Sequence, residues 1–121
     1  MDDVVLRLDG LNQTDKITLR SELPPESVTF ERQPTPDGAH GEIALTIAVI
    51  TLSAVALKGF VAYLVARHGM DEFEESVEIE TKDGTTLKRT IRRRSSEPIA
   101  EAVVHELSTV PGVEPLLSSI S

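Results

Sequence analysis

The stretch "IALTIAVITLSAVALKGFVAYLVA", Ile43 to Ala66, decides the fold of this chain, because it holds a single charge, Lys58, in 24 residues. Its length predicts one helix, since strands rarely exceed about ten residues. Such a helix would cover about 36 Å, enough to cross a bilayer core of about 30 Å. Acids precede it (Asp37, Glu42) and Arg67 and His68 follow it. If it spanned, the positive-inside rule would put the C-terminal part in the cytoplasm. Three features argue against a membrane. Lys58 would cost about 2.5–3.5 kcal/mol near a membrane centre. Thr46, Thr51 and Ser53 add polarity. Insertion would also leave only two strand-like segments on one side, too few for a stable sheet. The stretch therefore reads as the central helix of one small domain, and a single-pass membrane protein with residues 43–66 spanning is the competing reading. A helix apolar nearly all round needs cover all round. One sheet supplies one side. The other side calls for further helices, the C-terminal tail or another protein.

The segments on either side complete a small α+β unit. "VVLRLDG" (Val4 to Gly10) alternates like a strand, with Asp9-Gly10 ending it. In "LNQTDKITLRSELPP", Thr14 suits an N-cap, Asp15 suits the first turn, and Pro24-Pro25 stops a short helix. "SVTFERQ" (Ser27 to Gln33) reads as a second strand, and Pro34 to Glu42 as a loop. "SVEIETKDGTTLKRTIRRR" (Ser76 to Arg94) is a hairpin. A two-residue Asp83-Gly84 turn would place Ile79 opposite Lys88. A three-residue Lys82-Asp83-Gly84 loop instead pairs Ile79 with Leu87 and Glu78 with Lys88, with Gly84 left-handed in a G1 bulge. A final helix follows, capped by Ser95 or Ser96, with Pro98 in its first turn and Ile99, Val103 and Leu107 on one face. Residues 111–121 form a tail that either docks or frays. The expected order is β-α-β-α-β-β-α: a sheet of about four strands on a long apolar helix and two shorter ones, one domain over residues 1–121.

Composition narrows the chemistry. The chain has no cysteine, which excludes disulfides, thiolate nucleophiles and Cys-ligated zinc and fits a cytoplasmic protein. "MDDVVLRLDG" reads as a strand and not as a signal peptide. Net charge is −8, from 20 acids against 12 bases, and only three phenylalanines and one tyrosine are present. An acidic chain without stacking platforms is not a nucleic-acid binder. His40, His68 and His105 are each isolated, and no phosphate loop, dinucleotide fingerprint or nucleophile elbow is found. No catalytic group and no cofactor is expected. Charge is unevenly placed: six acids lie in residues 71–80 and five bases in residues 88–94. The plain reading is a hairpin whose strands complement each other. The sharper one projects Arg92, Arg93 and Arg94 toward an acidic partner, with Lys58 marking a second contact face.

The segments "VVLRLDG", "SVTFERQPTPDGAHGEIA", the small-residue apolar stretch and "VEIETKDGTTLKRTIRR", in that order over residues 4 to 107, resemble the effector-associated constant component family of bacterial conflict systems. The closing "VPGVEPLLSSIS" departs from that pattern. The resemblance implies a non-enzymatic adaptor encoded beside, or fused to, an effector such as a protease; the expectation of a partner or a homo-oligomer comes from the second side of the apolar stretch. It implies no residue roles and no cofactor.

Overall fold

The computed structural model describes residues 4–32, 46–69, 71–94 and 96–120. Ten elements follow in order: β1 (Val5–Leu11), α1 (Gln13–Glu22), a 3-10 turn (Pro25–Ser27), β2 (Val28–Arg32), β3 (Thr46–Thr51), α2 (Ala54–His68), β4 (Phe73–Glu80), β5 (Thr86–Arg93), α3 (Ile99–Leu107) and α4 (Glu114–Leu117). The strands form one antiparallel sheet in the order β2-β3-β1-β4-β5. The α+β class expected from the sequence is what the fold shows. The sheet has five strands, not four.

The extra strand comes from the apolar stretch itself. Residues 43–45 lie outside the described residues. From Thr46 onward the stretch is a strand and then a helix, not one helix. "TIAVIT" is rich in β-branched residues, and Ala48 and Ile50 alternate inward from its two half-buried neighbours Ile47 and Val49. Ser53 then stops the strand and caps α2, its Oγ accepting the Ala56 N–H at 3.1 Å. The helix that remains has 15 residues, about 22 Å. Among the described residues no helix is long and apolar enough to cross a membrane. Because Thr46–Thr51 is paired into the sheet, residues 46–66 are not the single long helix that the spanning reading of residues 43–66 requires.

Strand order explains the layering. β1-α1-β2 and β3-α2-β4 are two split βαβ units, each placing its strands around a strand of the other. The first four strands and two helices thus have a ferredoxin-like βαββαβ arrangement. β5 extends the sheet beyond β4, and α3 packs over it. One sheet face (Leu6, Leu8, Ala48, Ile50, Ile79, Ile91) is buried beneath the helices with Leu19, Phe60, Tyr63 and Leu107. The other face bears Arg7, Thr29, Glu31, Glu74, Lys88 and Arg92.

Local details follow from sequence chemistry. The hairpin is the three-residue one: Ile79 pairs with Leu87 and Glu78 with Lys88, and Gly84 has φ +89°. Thr81 N–H donates to Thr85 C=O at 2.8 Å, and Gly84 N–H to Thr81 C=O at 3.0 Å. The Thr81 hydroxyl, and then the Thr85 N–H, donate to Asp83 and hold its carboxyl below the usual range. Asp9-Gly10 does not end β1. Leu8 pairs with Ala48 and Leu11 with Thr46, so one extra residue is accommodated as a bulge where Gly10 takes φ +68°. The cap of α1 is Asn12 rather than Thr14. Its side chain accepts from Asp15 N–H at 2.9 Å while Asp15 accepts from Asn12 N–H at 3.1 Å. α3 has Pro98 as its N-cap with no side-chain cap; Ser95 lies outside the described residues. The tail docks: Val113 and Leu117 are buried and Ser119 Oγ donates to Ala54 C=O at 3.4 Å.

Candidate interaction surfaces

The residues singled out from sequence separate into different environments. Lys58 is exposed on the outward side of α2. At helical spacing it lines up with Val55, Ala62 and Val65, and the two valines are 61% and 49% exposed. Apart from Ala66 and Arg67 in its last turn, the rest of α2 is covered or half-buried. Ala56, Phe60 and Tyr63 face the core, α1 lies along one flank, and α3 and α4 lie along the other. α1 approaches very closely: a side chain on Gly59 would sit 2.5 Å from the Glu22 carbonyl oxygen. The second side of the helix is thus reduced to one aliphatic stripe carrying a single positive charge.

The three arginines are not brought together. Arg93 is 6% exposed. Its Nε donates to Glu97 C=O at 2.6 Å, and its Nη1 to Asp71 C=O at 3.0 Å and Gly69 C=O at 3.4 Å. Strand parity sends it to the covered face, where it ties the end of β5 to the α2–β4 link and the start of α3. Its guanidinium satisfies backbone carbonyls inside the fold and offers no surface to a partner. Arg92 and Arg94 are exposed. Arg92 lies 3.5 Å from Glu74, the complementary pairing expected across the hairpin. Glu78 and Glu80 turn instead to Arg7 on β1, at 4.0 and 3.2 Å. No carboxylate among the described residues pairs with Lys88, Arg89 or Arg94. A hollow of about 460 Å³ on the uncovered sheet face is lined by Arg7, Asp9, Ile47, Ser76, Glu78 and Lys88.

A second cluster has no signature in the sequence, because its members lie far apart in the chain. Arg67 forms an ion pair with Asp15, lies 3.6 Å from Glu75 and donates to Tyr63 Oη at 3.3 Å. The bond to Asp15 is the largest reason the guanidinium stays charged, against the opposing effect of its burial. Burial pushes the Tyr63 hydroxyl up to about 12, Arg67 lowers it, and the charges of Asp15 and Glu75 add to the rise. His68 lies 3.4 Å from Glu75 and stacks on Phe73 with ring centroids 3.9 Å apart. These contacts join α1, α2 and β4. Asp15, Glu75, Tyr63 and His68 are thus linked through one another and Arg67, and a hollow of about 520 Å³ beside them is lined by Asn12, Asp15, Arg67 and His68. Among the described residues no group of three or more His, Asp or Glu could hold a metal ion. His40 lies outside the described residues, and His105 is exposed on α3. Comparison with protein-family models, with curated proteins and with solved structures finds no match to any of them.

Proposed function

We propose that this chain is a non-enzymatic adaptor of a bacterial conflict or immune system, acting in the cytoplasm and coupling by protein contact to an effector, such as a protease, encoded nearby. The observation that carries the reading is the uncovered stripe Val55-Lys58-Ala62-Val65 on the helix that otherwise forms the core. Exposed aliphatic side chains clustered on one helix face favour contact with another protein surface. The exposed bases Arg92 and Arg94 form a second, polar candidate contact for an acidic partner. The resemblance of residues 4 to 107 to the effector-associated components supplies the biological setting.

The test is co-purification of the tagged chain with the products of its neighbouring genes, alongside light scattering to count its own copies. Val55→Asp combined with Val65→Asp should leave the melting temperature within a few degrees, since both side chains are exposed. The same variant should lose capture of the effector or self-association. A strict monomer that captures no neighbouring gene product would overturn the reading.

A further inference from the structure

β5 is an edge strand, and its free edge is chemically specific. The Thr81–Thr85 hydrogen bond fixes the parity of the hairpin. In an antiparallel ladder, pairs that exchange hydrogen bonds alternate with pairs whose N–H and C=O groups point away. Leu87, Arg89, Ile91 and Arg93 therefore bond inward to β4. Thr86, Lys88, Thr90 and Arg92 turn both backbone groups to the outer edge. On that edge the Lys88 C=O accepts a bond from the Arg89 side chain, whose Nη1 lies at 3.2 Å. Among the described residues these outward groups have no backbone partner. Beside them, two adjoining hollows of about 480 Å³ each run between the strand edge and α3. They share Arg92 and Glu106, and extend from Lys88 at one end to Arg94 and Glu101 at the other. A groove between an edge strand and a helix is the geometry that takes up an extended peptide as an added strand.

Charge selects the occupant. Lys88 and Arg92 project on the uncovered face within the outward-turned row, with Thr90 between them. On the inner side, β4 already meets this pattern with Glu78, Ser76 and Glu74. A second copy pairing β5 with β5 about Thr90 would oppose Lys88 with Arg92, and like charges directly opposite are unfavourable. On the covered-face side the groove is lined by Glu101, His105 and Glu106 of α3 together with Arg89 of β5, a mixed wall that gives acids there no net advantage. We propose that the β5 edge binds an extended acidic segment of a partner protein as a sixth strand. Its acids lie four residues apart over Lys88 and Arg92, and its opposite face is uncharged. This gives the adaptor reading a chemical partner and rests on it for the natural ligand, but not for the binding itself.

The probe is a labelled, end-blocked peptide copying residues 73–81 of this chain with Glu75→Thr, which has acids on one face and none on the other. Its binding is read by fluorescence anisotropy, and hydrogen exchange locates it. The expected result is saturable binding that weakens with salt and slows exchange at the Lys88, Thr90 and Arg92 amides. Thr90→Pro removes one outward N–H without touching the β4 ladder, and proline is tolerated on an edge strand. It should weaken binding about tenfold or more with the hairpin's other amides unchanged. Lys88→Glu with Arg92→Glu should reverse preference toward the peptide carrying Lys in place of its acids. Absence of binding to the wild-type chain overturns the proposal, as does full binding by Thr90→Pro, or protection that falls elsewhere. If the neighbouring effector co-purifies but the wild-type chain does not bind the peptide at the β5 edge, the strand-addition proposal fails and the adaptor reading stands. If the peptide binds as described and no gene product co-purifies, the adaptor reading fails and the edge site stands.

Discussion

Gly59 and Tyr63 sit four residues apart on α2 and place opposite demands on it. Gly59 is required because α1 passes so close that a β-carbon would meet the Glu22 carbonyl oxygen at 2.5 Å and the Leu23 side chain at 3.0 Å. Alanine raises helix propensity by about 1 kcal/mol over glycine, yet forcing atoms into a packed contact typically costs about 1–3 kcal/mol. The contact atom is backbone and cannot rotate away, so the steric effect should win. Gly59→Ala is expected to lower the urea midpoint with an unchanged slope. A stabilised variant would show that α1 can shift outward freely. Tyr63 is fully buried, and its hydroxyl is raised from 10.0 in the unfolded chain to about 12. Below pH 10 both states hold the proton. Between about pH 10 and 12 the unfolded chain releases it first, so stability falls as pH rises through that window. Tyr63 is the only tyrosine, so phenolate absorbance reports it without interference. In the folded protein that absorbance should appear late, together with unfolding. Tyr63→Phe should remove this part of the alkaline loss, and an identical alkaline profile in both proteins would count against the assignment.

At the scale of elements, the sequence was most legible where periodicity and turn chemistry agreed. The β4–β5 hairpin shows this: only the three-residue loop keeps Ile79 and Leu87 on one face, and the structure pairs them so. β1, α1, β2 and α3 were likewise readable in kind, though caps moved by a few residues because Asn12 and Thr14 are both good N-caps. The apolar stretch was misread for a physical reason. β3 is paired on both edges, by β1 and β2, and half-buried even on its outer face, so Ile47 and Val49 stay apolar where a polar residue would mark alternation. An apolar strand followed at once by an apolar helix has the composition of one long helix. Ser53 and the β-branched residues before it were the signal that separates the two. The basic cluster was divided by the same strand parity: Arg92 and Arg93 adjoin in sequence and point to opposite faces, one exposed and one buried. The Asp15–Arg67–Glu75 contacts had no sequence signal, because only tertiary packing brings residues so distant in the chain together.

At the scale of the whole molecule, those contacts join the two interleaved βαβ units. Asp15 stands on α1 of the first unit, Arg67 on α2 of the second, and Glu75 on the strand that follows it. Asp15 is nearly fully buried, whereas Arg67 is about one-third exposed, so the two partners are desolvated unequally. Removing one member of a buried pair is more damaging than removing both, because the survivor is left without its counter-charge. Arg67→Met keeps the aliphatic stem and strands Asp15 in a buried position, where its carboxylate still caps α1. Asp15→Asn keeps the shape of the cap and leaves Arg67 with Glu75 and solvent. The first variant should therefore be the more destabilising, by about 2–4 kcal/mol against about 1 kcal/mol. The double variant should be less unstable than the sum of the two, with a coupling energy of about 1–3 kcal/mol. Urea denaturation of the four proteins of this cycle measures all three quantities. Strict additivity would show that the two units are held together by the shared aliphatic core beneath Tyr63 and Phe60, and that the ion pair only decorates its rim.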